Sequence, residues 1–326
     1  MIPHNQWVNR REYEASVGRV LRSRHVGQGP EVEAFERELA ERFRPEGECA
    51  VVSSGTAALY LALSMSGKCP GLSVPTYACA AVINAARLDS RPIAAYDVDP
   101  HTFNAIGPCS VYVHTYGVPG AVPDGAVEDF THAPGASVDG VPCGSLGALS
   151  VISFGATKPL GIGAGGAVLG PAAAIAEIRD SRDYDTSKST TAFNFQLGDV
   201  YAAIGRERLR RLNEENEWRR RTAGRYAVAR LDTSADIQGA GEWDRVWYRY
   251  VIQVHDWRQA QEYFWSRGIS TINPLTPDEL LHNRFGLPGE FPNAEAIAAT
   301  TLSLPIWPGM SDGQVDRVAD ALAGLP

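Results

Sequence analysis

Between about residues 48 and 170, short apolar runs alternate with segments of helical pattern, and this alternation limits the fold more than any other feature of the sequence. Gly, Pro and Ser bound the apolar runs, as is typical of buried strands. The runs lie at 49–53, 71–74, 92–98, 110–114, 125–129, 148–154 and 166–169. Strands that alternate with helices predict an α/β fold with a mostly parallel sheet. We therefore expect ligands to bind beyond the carboxyl ends of these strands.

The second half of the chain predicts a smaller α/β domain. Its elements are expected at 200–232 (a long polar helix), 247–254 (a strand), 258–267 (a helix) and 312–322 (a last helix capped by Ser311). The 326 residues fit one large domain over 1–215 and a small one over 216–326. Residues 179–192 hold many Ser, Thr and Asp residues and predict a mobile active-site loop.

Charge and hydropathy exclude two classes of partner. The net charge of −8 and the pI near 5.4 disfavour binding to nucleic acid, which needs a basic face. The basic run at 206–211 and 219–221 is interleaved with glutamates and indicates a solvated helix face. No apolar run approaches the roughly 20 residues of a membrane span, and residues 1–7 lack the apolar core of a signal peptide. The sequence predicts a cytoplasmic protein without nucleic-acid or membrane partners.

The cysteines indicate neither a zinc site nor a disulfide framework, and we predict no metal. The chain has five of them, an odd number without a C-x-x-C pair. They are Cys49, Cys69, Cys79, Cys109 and Cys143. Cys79 follows Tyr77 by two residues, so it lies either near a site or in the core, and a buried small apolar side chain is the better interpretation.

Four features follow one another along the chain and together indicate a site for pyridoxal 5′-phosphate (PLP). Residues 51–57 combine a strand end, a small-residue turn and a helix start, which suits phosphate binding. Tyr77 supplies an aromatic ring, a strand ends on Asp129, and Lys158 stands alone among small residues. Taken singly, these residues are more typical of a core tyrosine, a turn-capping aspartate and a surface lysine. Their order is what indicates the site.

The glycines at 161–166 satisfy the G-x-G-x-x-G pattern, but we do not expect them to bind a nicotinamide cofactor. That pattern requires a strand before it and a helix after it. Here the lysine segment precedes the glycines and a predicted strand follows them. A tight backbone turn beside the lysine explains the glycines better.

Over nearly its whole length, the chain resembles the DegT/DnrJ/EryC1/StrS family of PLP-dependent sugar aminotransferases. The resemblance rests on motifs that occur in the family's order rather than on any single one. These motifs are 26–36, 51–57, 74–78, 97–103, 114–117, 128–129, 153–166, 193–195, 202–205, 291–295 and 302–305. It implies the fold type I of PLP-dependent transferases, with helices on both faces of the sheet and a small C-terminal domain.

The resemblance also implies a role for each residue around the cofactor ring. Lys158 occupies the position of the lysine that forms an imine with PLP; the other lysines, Lys68 and Lys188, lie in polar loops. Asp129 is implied to hold the proton on the pyridine nitrogen, and the neighbouring Glu128 is expected to face away. His132 stands where many relatives carry a glutamine that contacts the 3′ oxygen, and histidine can donate the same hydrogen bond. Tyr77 is implied to stack on the ring.

By the same resemblance, backbone N–H groups at Gly55 and Thr56 bind the phosphate, with hydroxyl groups from Ser54 and Ser153. Asn194 is implied to reach the phosphate of the neighbouring subunit. The expected assembly is therefore a homodimer whose active sites are shared between subunits.

The function implied is the transfer of an amino group from an amino acid, with glutamate the expected donor, to a keto-sugar or a cyclic ketone. Two regions that ordinarily face the substrate depart from the family pattern. They are 183–185, where relatives carry a His-Gly pair, and 270–276, where they carry a His-Tyr-Pro type motif, with His282 and Arg284 further along. The catalytic residues are thus better supported than a nucleotide-sugar substrate.

Two alternative functions remain open. The first is an enzyme of the same fold that acts on a non-sugar substrate or catalyses elimination or another carbanion reaction. The second is a non-catalytic regulatory protein, against which the intact Lys158 and Asp129 argue. Lys158 also argues against the family's dehydratase branch, where histidine replaces this lysine.

Overall fold

The structure, a computed structural model, describes residues 1–66, 71–188, 192–229 and 244–326. Its helices are α1 (Arg11–Ser23), α2 (Pro30–Phe43), α3 (Gly55–Met65), α4 (Ala80–Leu88), α5 (Ala172–Arg182), α6 (Asp199–Ala229), α7 (Trp257–Ser266), α8 (Leu281–Phe285), α9 (Pro292–Thr300) and α10 (Asp312–Ala323). Its strands are β1 (Glu48–Val52), β2 (Leu72–Pro75), β3 (Ile93–Tyr96), β4 (Val111–Val113), β5 (Val127–Asp129), β6 (Ser137–Val138), β7 (Val141–Pro142), β8 (Leu149–Ser153), β9 (Gly166–Gly170), β10 (Tyr250–Gln253) and β11 (Thr301–Leu304).

A five-stranded sheet in the order β1-β9-β8-β5-β4 forms the centre of the large domain. β4, β5 and β8 run parallel, whereas β9 is antiparallel to both β8 and β1. β2 and β3 form a parallel pair beside β4, where the Ser110 N–H donates to Ser73 O at 2.7 Å. The predicted α/β fold with a mostly parallel sheet is confirmed, with β9 as its antiparallel member.

Helices cover both faces of this sheet because its strands are apolar on both sides. In β1, Ala50 and Val52 belong to the hydrophobic cluster that contains α3, α4 and part of α5. Cys49 and Val51 belong to the cluster on the other face, with α2 and the first part of α6. Alternate residues of a strand point to opposite faces, so one strand contributes to two cores.

The strand directions bring three functional segments to one edge of the sheet. β1 and β8 are both antiparallel to β9 and therefore run parallel to each other. β5 ends at Asp129, β8 ends at Ser153, and α3 begins at Gly55 shortly after β1. This is the edge where ligands are expected in parallel sheets.

The strands predicted between residues 49 and 169 are all present, as β1 to β5, β8 and β9. The predicted last helix is α10, and the Ser311 hydroxyl accepts a hydrogen bond from the Gln314 N–H at its start. The predicted start of the loop at 179–192 is too early, because α5 continues to Arg182. Burial of the Arg182 guanidinium against Glu36, at 2.6 Å, accounts for the added helical turn. Residues 189–191 of that loop lie outside the described residues.

The C-terminal part has an antiparallel pair, β10 with β11, which packs with α7 and α10. α6 joins this part to the large sheet. Its Leu212 lies in the cluster with α2, and its Ala223 and Tyr226 lie in the C-terminal cluster, which also takes in Ile2. The division at residues 215 and 216 stays a prediction, and α6 crosses that point without a break.

Two arginines of α6 are buried, so the prediction of a solvated basic face is wrong for them. Arg208 donates to Pro159 O at 2.9 Å and pairs with Glu215 at 3.1 Å. Arg219 donates to Ile306 O at 2.6 Å. These partners offset the cost of burying a guanidinium. Across the described ranges, no helix has the length and apolar character needed to cross a membrane.

Candidate functional site

A cavity of about 640 Å³ opens at the carboxyl edge of the central sheet. Its walls contain every predicted site residue except Asn194. They are Ser54, Gly55, Thr56, Tyr77, Asp129, His132, Ser153 and Lys158. Residues more than a hundred positions apart in the sequence thus meet at the edge where three strands end.

The start of α3 lines this cavity. The Ser54 hydroxyl accepts a hydrogen bond from the Ala57 N–H at 3.1 Å and caps the helix. The N–H groups of the first helical turn have no partner within the helix, and they attract negative charge. A side chain at Gly55 would lie 2.6 Å from Cβ of Ser153, so glycine is required for this turn to approach β8. The turn and the Ser153 hydroxyl fit a phosphate group.

Asp129 and Glu128, adjacent at the end of β5, point in different directions. Asp129 lines the cavity, its Oδ1 accepts from the Thr131 N–H at 3.0 Å, and burial raises the pKa of its carboxyl group. Glu128 accepts hydrogen bonds from Gly144, Leu146, Gly147, Ser150 and His114 and does not line the cavity. The expectation that Glu128 faces away is therefore confirmed. Of these two adjacent carboxylates, Asp129 is therefore the one that faces the cavity.

Lys158 and His132 are in direct contact, with 2.9 Å between Nζ and Nε2. The Tyr116 N–H donates to Nδ1 of His132 at 3.3 Å, so the ring proton belongs on Nε2. Burial lowers the pKa of His132 well below its ordinary value, which keeps the ring neutral. The amine of Lys158 therefore lies within hydrogen-bond distance of a neutral imidazole and lines the cavity.

Aromatic rings form one wall of the cavity. Tyr77 is fully buried, and its ring packs edge-on against Phe103 and Tyr116 at centroid distances of 5.6 and 6.1 Å. Tyr248, which the sequence analysis missed, stacks on the His132 ring at 4.5 Å and lines the cavity together with Arg249. The signal for this pair was a positive charge between aromatic residues in the predicted strand at 247–254.

The remaining candidates divide between the cavity and the surface. Lys188 and Asn194 are exposed and do not line the cavity, and Lys68 lies outside the described residues. The partner-subunit role of Asn194 stays a prediction. Cys79 is exposed at the start of α4 and lines the cavity, so its interpretation as a core residue is wrong. The turn that positions Tyr77 also brings this thiol to the wall.

The two regions that depart from the family pattern differ in position. Pro274 and Leu275 line the cavity, with Glu279 and Arg284 beside them. Residues 183–185 do not line it. Of the two regions, 270–276 is therefore the one that contributes to the cavity wall.

The N-terminal segment reaches across to the lysine turn. Asn5 Nδ2 donates to Thr157 O at 3.1 Å, and Trp7 Nε1 donates to Gly161 O at 3.3 Å. On the way, the Ile2 N–H donates to Gly268 O at 2.7 Å. These bonds fix the backbone on both sides of Lys158.

A second group of polar side chains, His114, Glu128 and Cys143, is buried next to the site, with ligand atoms within 4.8 Å of one another. Both ring nitrogens of His114 are already engaged, Nδ1 with the Gly120 N–H at 3.2 Å and Nε2 with Glu128 at 3.0 Å. The Glu128 carboxylate already accepts the hydrogen bonds from the five residues named above. We interpret this group as a hydrogen-bonded support for the end of β5 rather than a metal site.

The chain matches the model of the DegT/DnrJ/EryC1/StrS aminotransferase family over residues 8–110 and 125–323. It is 31% identical to the erythromycin biosynthesis sensory transduction protein EryC1 of Saccharopolyspora erythraea, covering 96% of this chain and 95% of that protein. It is also 31% identical to the dTDP-3-amino-3,4,6-trideoxy-alpha-D-glucose transaminase of Streptomyces venezuelae, covering 96% and 92%.

Solved structures agree with this match. A structure of S. venezuelae DesV in complex with a ketimine intermediate has a TM-score of 0.88 and 27% sequence identity, covering 98% of both chains. The family match covers most of the chain, and the cavity holds the lysine and aspartate that the resemblance implied. The chain belongs to the DegT/DnrJ/EryC1/StrS family of PLP-dependent aminotransferases.

Proposed function

We propose that this protein uses PLP to transfer an amino group from an amino acid, with glutamate as the expected donor, to a keto-sugar or a cyclic ketone. The observation that carries the proposal is the Lys158 amine, held 2.9 Å from His132 in a cavity that also contains Asp129 and the start of α3. The names of relatives support the acceptor class, because several are transaminases of nucleotide-linked sugars.

Each end of the cavity suits a different part of the cofactor. The start of α3 at Gly55 and Thr56 would bind the phosphate, and Asp129 would hold the proton on the ring nitrogen. His132 would donate its Nε2–H to the ring oxygen, and Tyr77 would lie against the ring face. When bound, PLP supplies an electron sink that stabilises negative charge on the substrate carbon.

Lys158 would have two tasks. Its amine would hold the cofactor until the amine of the donor displaces it. Once free, Nζ would act as a general base and take the proton from the α-carbon of the amino acid. It would then act as a general acid and give that proton back. His132 holds Nζ in position through the 2.9 Å contact.

The proposed assembly is a homodimer in which Asn194 of each chain completes the phosphate site of the other. Asn194 is exposed in the single chain, as a residue that contacts a partner would be before association. The cytoplasmic location is likewise a prediction from the sequence.

Borohydride reduction of the purified holoenzyme, followed by peptide mapping, tests the assignment of Lys158. We expect the pyridoxyl group on Lys158, and we expect Lys158→Ala to lose the visible absorbance of the lysine-bound cofactor. Lys188→Ala is the matched control, because Lys188 is exposed and lies outside the cavity. A pyridoxyl group on another lysine would refute the assignment.

The reaction itself is tested in two halves. Glutamate should convert the holoenzyme to its aminated form, and a panel of keto-sugars, keto-cyclitols and keto acids should reverse the conversion. Reversal by keto acids alone would favour a non-sugar acceptor. Absence of any donor reaction in a protein that binds PLP would favour the regulatory alternative.

A further inference from the structure

Arg249 is a cavity residue to which the proposed mechanism gives no role. Its guanidinium carbon lies 5.1 Å from the ring centre of Tyr248 and 5.6 Å from that of Tyr116. The Tyr248 ring is also 5.4 Å from the Nζ of Lys158. The guanidinium and the reacting amine therefore both lie near the ring of Tyr248.

Arg249 has no anionic partner among the described residues. Its Nη1 donates to Nε2 of His4 at 3.4 Å, while its Nε is buried without a hydrogen-bond partner in that part of the chain. Burial, aided by the charge of Arg249, lowers the pKa of His4 to about 3. The imidazole is therefore neutral near pH 7 and does not compensate the positive charge.

Two buried arginines away from the cavity are paired with carboxylates. Arg182 contacts Glu36 at 2.6 Å, and Arg208 contacts Glu215 at 3.1 Å. An incompletely solvated cation without a counter-ion is unfavourable, and an incoming anion relieves this cost. The contrast marks Arg249 as a guanidinium kept available for a ligand.

A carboxylate is the anion that matches this position. The planar guanidinium binds carboxylates through two parallel hydrogen bonds, and the flanking rings of Tyr116 and Tyr248 restrict its orientation. Any α-amino acid that reacts at the Lys158 position brings at least one carboxylate into the same cavity. The phosphate turn at Gly55 is a separate anion site, because it is built from a helix N-terminus and hydroxyl groups.

We propose that Arg249 forms a carboxylate subsite that binds and orients the amino-acid donor. This inference rests on the proposed aminotransferase function, and it names a specificity-determining residue for one of the two half-reactions. Arg249 acts on the donor directly, and the acceptor does not require it.

The test compares Arg249→Gln and Arg249→Lys with the control Arg258→Gln in PLP-loaded enzyme. Arg258 is exposed and packs on Trp257 at 4.5 Å, so the control removes a similar charge from a similar aromatic contact away from the cavity. Two quantities are measured: the kinetics of each half-reaction, and the calorimetric affinity for glutarate, which carries carboxylates but no amine.

We expect Arg249→Gln to raise the KM for glutamate and to weaken glutarate binding, each by about 10- to 100-fold. The maximal rate with saturating keto acceptor should stay within about twofold of the unmodified enzyme. Arg249→Lys should retain part of the affinity, because it keeps the charge but loses the two-point geometry. Arg258→Gln should change neither quantity.

Three outcomes would overturn the inference. One is an effect of Arg249→Gln confined to the acceptor half-reaction, which would assign the anion to the acceptor. Another is glutarate and glutamate binding unchanged in both Arg249 variants. The third is an equal loss of glutamate and glutarate affinity in Arg258→Gln, which would show that the effect depends only on the net charge of the protein. If the unmodified enzyme binds glutarate through Arg249 but shows no donor reaction, the proposed function fails while the subsite stands.

Discussion

A backbone N–H and two aromatic rings fix the orientation of the His132 ring beside the reacting lysine. The Tyr116 N–H occupies Nδ1, so the imidazole proton must sit on Nε2 and point to Lys158. A glutamine, the residue of many relatives, also donates through an N–H, but its amide group is free to rotate. The histidine ring is instead held between Tyr116 and Tyr248, which stack on it at 5.8 and 4.5 Å. Its donor direction is therefore fixed before a cofactor binds.

Asp129→Asn tests the electrostatic role of the aspartate. The amide oxygen of asparagine can still accept from the Thr131 N–H, so the fold should be retained. A neutral group opposite the ring nitrogen no longer stabilises positive charge there, and the donor half-reaction should slow by about 100- to 1000-fold. Stopped-flow absorbance measures this rate, and circular dichroism checks the fold. Near-normal rates in a folded variant would rule out Asp129 as the partner of the ring nitrogen.

Ser54, Asp129 and Lys158 were predictable because each follows an apolar strand, and strand ends converge at one edge of a parallel sheet. Tyr248 and Arg249 were not predictable in the same way. They precede β10, which belongs to another sheet, and a local pattern carries no information on how two sheets pack together. The burial of Arg208 also depends on tertiary contacts. The polar residues around it in the sequence favoured an exposed side chain instead.

At the level of whole elements, α6 is long because both of its halves are packed against a core. At one position in α6, close packing requires glycine, although glycine is a poor helix former. A side chain at Gly205 would lie 2.5 Å from the ring of Phe35, which is fully buried and cannot move aside. At Gly224, in the same helix, an added Cβ meets nothing within 4 Å.

This contrast predicts opposite effects of the same substitution. Gly224→Ala should raise the free energy of unfolding by about 0.5–1 kcal/mol, because alanine loses less backbone entropy in a helix. Gly205→Ala should lower it by about 1–3 kcal/mol, because the added methyl group overpacks the core. Urea denaturation measures both. If Gly205→Ala were as stabilising as Gly224→Ala, the close packing of α6 on α2 would be refuted.

Strand positions could be predicted from the sequence, but strand directions could not. The apolar run of β9 resembles those of its neighbours, yet β9 runs antiparallel to both. Its direction follows from the short connection through 154–165, which turns back at Lys158 and leaves no room for a crossover helix. The same geometry places the lysine at the carboxyl edge of the sheet.

At the scale of the whole molecule, the proposed shared site predicts complementation between two inactive variants. Lys158→Ala lacks the reacting amine, and Asn194→Asp should repel the phosphate held by the partner chain. In a mixed dimer both lesions fall in one site, and the other site is intact. Equal mixing with free exchange of subunits should restore about one quarter of the activity, since half of the dimers are mixed and each has one working site.

The recovered activity should depend on subunit exchange and rise with its time course. Each variant incubated alone is the control and should stay inactive. If exchange is demonstrated by mass spectrometry and no activity returns, while both parents remain folded and dimeric, Asn194 does not complete the partner's site.

The contacts of residues 2–7 also link the lysine turn to parts of the chain that are synthesised much later. Ile2 bonds to Gly268, His4 contacts Ser303, and Asn5 and Trp7 bond to the turn around Lys158. Residues 2 and 4 are synthesised before Gly268 and Ser303, so these two contacts can form only after the later residues have been made. Such long-range pairings form slowly, because a large loop has to close before they contribute any stability. A chain that ends before Gly268 therefore lacks two of the contacts that hold residues 2–7 beside the lysine turn.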